Sequence, residues 1–166
     1  MIEAIIEAND RNLDSSLGHW VGDPTWEPGP IHGYTGLMNF VCQPFGPNKI
    51  VSLTYPHFKL PKNRACFFDI LSGKELSVDG LPFWEITIAD GLGVNIPLLP
   101  VHYPITEWQH MYYAFATPPE WNQETGTILL TVYNPDAAEG SIYIDAFSLQ
   151  YEVPTKPQYL PLMGVG

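Results

Sequence analysis

Basic residues are scarce in this chain of 166 residues, which has seven Lys and Arg against 18 Asp and Glu and a formal net charge of −11. Proteins bind nucleic-acid phosphates with clustered Lys and Arg. The seven basic residues form no such cluster, so we expect no nucleic-acid partner.

Cysteine is equally scarce, with Cys42 and Cys66 as the two examples. Both lie in apolar, strand-like segments, where a cysteine is more often a free, buried side chain than half of a disulfide. The sequence leaves both states open.

The chain also shows neither a leader nor a long apolar run. Its first residues include Glu3 and Glu7 in place of the basic segment and apolar core of a secretory signal. No apolar stretch approaches the roughly 20 residues of a membrane-spanning helix. We therefore expect a protein made in a cytoplasm, or one whose leader is missing from this sequence, with no membrane partner.

Proline, glycine and aromatic residues are plentiful, with 17 Pro, 14 Gly and 13% Phe, Trp and Tyr. Proline recurs too often for long helices. Short apolar segments separated by turn residues are typical of all-β folds. We predict an antiparallel β-sandwich, a jelly roll of about eight strands. The strand candidates are 1–8, 36–43, 49–60 with a break at Pro56, 64–71, 83–89, 94–99, 108–116, 126–133 and 141–152.

The C-terminal part of the chain changes character near Val153. Before it, a closing strand alternates with period two, so that Ile142, Ile144 and Ala146 oppose Tyr143, Asp145, Phe147 and Leu149. After it, three prolines prevent regular pairing. We therefore divide the chain into a jelly-roll domain, 1–152, and an extended Pro-rich arm, 153–166. The arm covers a sheet edge of its own domain or docks on a neighbour, with an assembly interface at Tyr159, Leu160, Leu162 and Met163.

Three segments of the chain carry a family resemblance: Asn12-Leu13 with Gly18-His-Trp20, then Thr106-Glu-Trp-Gln109 with Tyr112-Tyr-Ala-Phe115, and the closing strand Ile142-Tyr-Ile-Asp-Ala-Phe-Ser-Leu149. They resemble galactose-binding-like jelly rolls, the fold of many carbohydrate-binding modules. Phage capsid decoration proteins and tail proteins often resemble the same domains. The resemblance implies a β-sandwich, and a saccharide or a virion surface as partner.

The resemblance also implies a structural calcium ion, since oxygen ligands of the opening loop and the closing strand hold one in the family. In this chain the candidate ligands are Asp145 and Asp10. Ala146 stands where the family has a second Asp. The alternative is that Asp145 accepts hydrogen bonds from the backbone of the opening loop, and no other cofactor is expected.

Aromatic residues in loop-like stretches are the candidates for sugar binding. The rings of Trp26, Tyr34 and Trp121 would stack on sugar faces, with Asn122 as a polar neighbour. The competing interpretation is that these rings plug the ends of the sandwich or face a neighbouring subunit.

Catalytic signals are weak. There is no Gly-x-Ser-x-Gly turn, and nothing marks Glu85 and Glu107 as an acid–base pair. We predict a non-catalytic structural or assembly protein, a bacteriophage virion component that decorates the capsid or belongs to the tail. It would bind itself as a homo-oligomer, or other virion proteins. The alternative is a carbohydrate-binding module that recognises a glycan through its loop aromatics.

Overall fold

The computed structural model describes residues 1–6, 18–23, 26–29, 39–42, 49–74, 83–134 and 142–154, with backbone alone at 26–29, 39–42, 49, 74, 99–100 and 134. The regular structure of these residues consists of eleven strands. They are β1 (Ile2–Ala4), β2 (Val21–Gly22), β3 (Trp26–Gly29), β4 (Asn39–Cys42), β5 (Lys49–Phe58), β6 (Ala65–Lys74), β7 (Phe83–Ala89), β8 (Asn95–His102), β9 (Gln109–Ala116), β10 (Gly126–Asn134) and β11 (Ile142–Glu152). Within the same ranges, there is no helix with the length and apolar character needed to cross a membrane.

The strands form two antiparallel sheets, which confirms the predicted β-sandwich. The five-stranded sheet has the order β2-β5-β10-β7-β8. The six-stranded sheet has the order β3-β4-β11-β6-β9, and β1 pairs with the second half of β11 beyond β4. Every pairing between these strands is antiparallel.

The core lies between the two sheets and follows from the alternation along each strand. In β7 the inward residues are Trp84, Ile86 and Ile88, and all three are fully buried. The indole Nε1 of Trp84 donates a hydrogen bond to Oγ of Ser72 on β6, at 3.1 Å, so a polar contact joins the sheets inside the core. Each large apolar side chain that folding removes from water contributes about 1.5–3 kcal/mol.

A β-bulge in β11 corrects the predicted alternation of the closing strand. The register with β6 shifts between Asp145 and Ser148, and Ala146 has a φ of 54°. The extra residue reverses the pattern after Asp145, because side chains alternate strictly between faces. Phe147 is therefore buried in the core together with Ile144, whereas strict alternation predicted opposite faces.

A second irregularity corrects the predicted break at Pro56, since β5 continues through it to Phe58. The register with β10 passes from Tyr55↔Ile128 to Phe58↔Gly126, so two residues of β5 oppose one of β10. Pro56 lies in this bulge, where no ladder hydrogen bond requires its missing N–H. His57, next to it, has a φ of 58°.

The two ends of the described sandwich meet. The carbonyl oxygen of Met1 accepts a hydrogen bond from the amide of Val153 at 2.8 Å, directly after the β1–β11 ladder. Strand β11 ends at Glu152, the last residue of the predicted jelly-roll domain. Cys66 is a buried free thiol, which settles the question that the sequence left open for this residue.

Candidate functional site

An aromatic row crosses the outer face of the five-stranded sheet. It consists of Tyr133 on β10, Phe83 on β7 and Tyr103, the residue that follows β8. The rings of Tyr133 and Phe83 are nearly parallel, 17° apart with centroids at 4.8 Å, and the ring of Tyr103 lies 5.5 Å from that of Phe83. Tyr103 is 54% exposed. Ile50, exposed on β5 and paired with Tyr133, extends the row, so it crosses three strand spacings, about 14 Å.

A polar row runs beside the aromatic row on the same face. It consists of Ser52 on β5, Thr131 on β10 and Glu85 on β7, which the registers place directly opposite one another. Oε1 of Glu85 accepts a hydrogen bond from the hydroxyl of Tyr133 at 2.6 Å, which joins the two rows. The outer face thus places aromatic rings, with Tyr103 the exposed one, beside hydroxyl and carboxylate groups, and rings together with such groups can bind sugars.

The carboxylate of Glu85 also defines the electrostatics of the site. Its hydrogen bond from Tyr133 raises the pKa of that phenol, and burial and the negative charge act in the same direction. Tyr133 therefore remains a neutral donor at physiological pH. The hydrogen bond from Tyr133 occupies Oε1 of Glu85 and fixes the orientation of the Glu85 side chain. Oε2 of Glu85 can then accept a hydrogen bond from a ligand.

The outward positions of the site follow from the sequence, although the sequence analysis did not select them. In β7 the burial alternates strictly, so Phe83, Glu85 and Thr87 face outward between the core residues. In β10, Thr131 and Tyr133 alternate in the same way with the buried Leu130. The missing information was the register between β7 and β10, which single-strand periodicity does not contain.

Trp121, one of the predicted sugar-stacking residues, lies instead at the end of the sandwich. It is 2% exposed, and its Nε1 donates a hydrogen bond to the carbonyl oxygen of Leu60 at 3.0 Å. A ring buried in this way offers no free face for a sugar. Trp121 therefore corresponds to the competing interpretation, a ring that plugs the end of the sandwich.

Asn122, the predicted polar neighbour of Trp121, is part of a structural turn. Its amide donates to Oδ2 of Asp90 at 3.0 Å, and its Nδ2 donates to Thr125 at 2.7 Å. Oδ1 of Asp90 accepts hydrogen bonds from the amides of Leu92 and Val94. Burial acts to raise the pKa of Asp90, but the backbone donors, with Asn122 first, outweigh it and lower the pKa. The side chain of Asn122 thus braces a loop.

The other predicted site residues are described only in part. Asp145 is buried on β11, and its Oδ1 accepts a hydrogen bond from the amide of Ala146 at 2.7 Å. The backbone of Trp26 lies in β3, but its side chain is outside the description, and so are Tyr34 and Asp10. The four residues of the predicted assembly interface also lie outside the described residues: Tyr159, Leu160, Leu162 and Met163.

The predicted calcium site therefore stays a prediction. Among the residues that the structure describes, no group of three or more His, Cys, Asp or Glu side chains is arranged to hold a metal ion. Of the two calcium ligands that the family resemblance implies, Asp145 is described and Asp10 is not.

Comparison with known proteins gives similarity of structure and not of sequence. No protein-family model matches the chain, and neither does any curated protein sequence. The xylan-binding domain CBM22-1 of Xyn10C from Paenibacillus barcinonensis superposes with a TM-score of 0.61 at 10% identity, covering 87% of this chain and 94% of that one. TmCBM61, solved in complex with β-1,4-galactotriose, has a TM-score of 0.61 at 13% identity, covering 90% and 99%.

The same architecture also occurs in an enzyme. The Stig cyclase Fisc from Fischerella sp. TAU, solved in complex with (3Z)-3-(1-methyl-2-pyrrolidinylidene)-3H-indole, superposes with a TM-score of 0.62 at 15% identity, covering 93% of this chain and 100% of that one. At such low identities the likeness establishes the fold and leaves function to the site. The chain has the β-sandwich fold of carbohydrate-binding modules, as the sequence resemblance predicted.

Proposed function

We propose that this protein is a non-catalytic carbohydrate-binding module that holds a glycan chain on the outer face of its five-stranded sheet. The observation that carries the proposal is the aromatic row of Tyr133, Phe83 and Tyr103 beside the polar row. Sugar C–H groups pack on the exposed ring of Tyr103 and on the edges of the two half-buried rings, while sugar hydroxyls bond to Glu85 and Thr131. The fold shared with xylan- and galactotriose-binding modules supports this assignment.

The arrangement fits binding better than catalysis. The half-buried carboxylate of Glu85 accepts a hydrogen bond from Tyr133 on the outer face of the sheet. A glycosidase needs a second carboxyl group across the scissile bond. Glu85 is the one carboxylate among the described outward residues of β5, β7 and β10, and a second carboxylate, that of Asp23 beside β5, accepts a hydrogen bond from the amide of Ser52. Three strand spacings, about 14 Å, separate Asp23 from Glu85, more than the roughly 5–9.5 Å between the two carboxyl groups of a glycosidase. Because a cyclase has a similar structure, the fold alone does not decide between binding and catalysis. We therefore include in the proposal that the protein does not convert the glycan that it binds.

The proposal is tested by affinity electrophoresis and isothermal titration calorimetry with soluble xylan and with β-1,4-linked galacto-oligosaccharides. We expect Tyr103→Ala to weaken binding by up to about tenfold, if stacking of a sugar on one exposed ring is taken as equal to that of an aromatic pair, about 0.5–1.5 kcal/mol. Glu85→Gln should weaken it by about tenfold, because a hydrogen bond to a charged acceptor is stronger than one to a neutral acceptor.

The matched control is Leu92→Ala, which removes an exposed apolar side chain that lies in the β7–β8 turn and outside both rows. It should leave the affinity unchanged. Equal affinity of the wild type, Tyr103→Ala and Glu85→Gln for a bound glycan would refute this site. Consumption of the glycan would refute the non-catalytic assignment.

The assembly role predicted from the C-terminal arm remains a separate prediction. Its contacts, Tyr159, Leu160, Leu162 and Met163, lie outside the described residues, and neither the fold nor the comparisons support a virion location. A carbohydrate-binding face and an assembly arm are compatible in one chain. Analytical ultracentrifugation of the full chain and of a variant that ends after Glu152 would test the arm separately, with dissociation of an oligomer as the expected result.

A further inference from the structure

A second aromatic and polar patch lies on the opposite side of the molecule, on the outer face of the six-stranded sheet. Tyr112 on β9 is 55% exposed, and its ring lies 20° from parallel to that of Phe67 on β6, with centroids 5.9 Å apart. Ala114, exposed on β9, pairs with Phe67. Because Ala114 is small, no large side chain at that position covers the two rings.

Hydrogen-bonding groups surround the two rings of this Tyr112 patch. The registers place Asp69 of β6 opposite both Tyr112 and Ser148. Oδ1 of Asp69 lies 2.8 Å from Nε2 of His110, and Nε2 of Gln150 donates to Oγ of Ser148 at 3.0 Å. Carboxylate, imidazole, hydroxyl and amide groups therefore line the rings on three adjacent strands. Such a set can both accept hydrogen bonds from sugar hydroxyls and donate to them.

We infer that the Tyr112 patch is a second saccharide-binding face, so that one chain binds two glycan strands on opposite sides of the sandwich. The inference goes beyond the proposed function, which uses only the five-stranded sheet. The two sheets of a sandwich pack about 10 Å apart, with their outer faces directed away from each other. One glycan strand therefore cannot lie flat on both faces, and a long polysaccharide becomes cross-linked.

The charge of the molecule selects the class of saccharide. The chain carries a net charge of −11, and each face has a carboxylate beside its rings, Asp69 on one and Glu85 on the other. An acidic polymer such as polygalacturonate is repelled at both faces. The ligand is a saccharide chain without acidic groups.

The test uses calorimetric stoichiometry with the full chain, soluble xylo-oligosaccharides and β-1,4-linked galacto-oligosaccharides, with polygalacturonate as the anionic arm. We expect two bound oligosaccharides per wild-type chain. Tyr112→Ala should weaken one of these sites by up to about tenfold and leave the other unchanged, Tyr103→Ala should do the reverse, and the double variant should weaken both, while Leu92→Ala changes neither. The wild type should also raise the light scattering of a long soluble xylan or galactan, and each single variant should reduce that increase. Polygalacturonate should not bind.

The outcomes separate the two proposals. A single site per wild-type chain that weakens in Tyr103→Ala and not in Tyr112→Ala overturns the second face and leaves the proposed function intact. A single site that weakens only in Tyr112→Ala places the saccharide on the Tyr112 patch alone, so it overturns the location proposed for the first site and the claim of two bound strands. A change of oligomeric state in Tyr112→Ala, with saccharide affinity unchanged, identifies the patch as a protein interface and also overturns the inference. Binding of polygalacturonate at the Tyr112 patch overturns the assigned ligand class.

Discussion

Gly126 offers a sharp test of the packing, because a single methyl group there meets a buried ring. A Cβ added at Gly126 would lie 2.7 Å from Cδ2 and 2.9 Å from Cζ of Phe58, and it would also overlap Cε2. Phe58 is 6% exposed and belongs to the core, so its ring has little room to retreat. Overpacking of this kind typically costs about 1–3 kcal/mol.

Gly126→Ala should therefore lower the free energy of unfolding. The substitution also restricts the unfolded chain, which stabilises the folded state by about 0.4–1 kcal/mol where the backbone is compatible. Subtracting that gain leaves a net loss of up to about 2.6 kcal/mol. In a chain of this size such a loss lowers the melting temperature by up to about 10 °C.

Gly73→Ala is the matched control, because the same methyl group there has room. Its Cβ would lie 3.6 Å from the carbonyl oxygen of Glu107 and 3.7 Å from that of Ile105, which is ordinary van der Waals contact. We expect Gly73→Ala to be neutral or slightly stabilising. The two variants thus separate the steric effect from the general effect of replacing a strand glycine.

Urea unfolding, monitored by tryptophan fluorescence, gives the free energy of unfolding of both variants. The fluorescence reports on the core because Trp20, Trp84 and Trp121 are buried. In the double variant Gly126→Ala/Phe58→Leu the smaller side chain should relieve the clash, so the two changes should cost less than the sum of the single changes. Equal stability of Gly126→Ala and Gly73→Ala would refute the packing argument.

Three further predictions concern buried polar groups. Ser72→Ala should destabilise the protein by about 1–3 kcal/mol in urea unfolding, because the buried indole N–H of Trp84 loses its acceptor; an unchanged midpoint would contradict this. Burial lowers the pKa of His102 despite the opposing hydrogen bond with Gln109, so stability should fall as the pH drops below about 6.5. His102→Asn should flatten that part of the stability profile, and an identical slope would show that other groups cause it. Burial raises the pKa of Cys66 to about 11 despite a backbone hydrogen bond, so the folded thiol should resist Ellman's reagent at about pH 8 and react after unfolding. Its contribution to stability should disappear as the pH rises from about 9 through 11, and rapid labelling of the folded chain would refute the assignment.

The fold could be predicted because its main signals are local. Proline and glycine mark the turns, and the alternation in β7 and β10 is visible in the sequence as single-strand patterns. Two errors had a common cause. The bulge at Ala146 adds one residue to β11, and the bulge at Pro56 adds one residue to β5. Only the pairing with the neighbouring strand reveals such an extra residue.

The candidate site was harder to predict because it is made of contacts between strands. Phe83 and Tyr133 are 50 residues apart in sequence, and their stacking depends on the β7–β10 register. The sugar-binding candidates taken from the sequence were aromatic residues in loops, and of these Trp121 is buried at the end of the sandwich. A tryptophan after a turn can close the end of a sandwich as readily as it can meet a ligand.

The meeting of Met1 and Val153 has a mechanical consequence. Antiparallel strands β1 and β11 lie side by side with their outer ends together, so a force that separates residue 1 from residue 154 loads their hydrogen bonds one at a time. A ladder loaded in this way peels open at low force, whereas a ladder pulled along its length resists as a unit. If the chain is tethered through both ends while its faces hold a matrix, the first rupture under tension should be release of β1, with the binding sheets still folded.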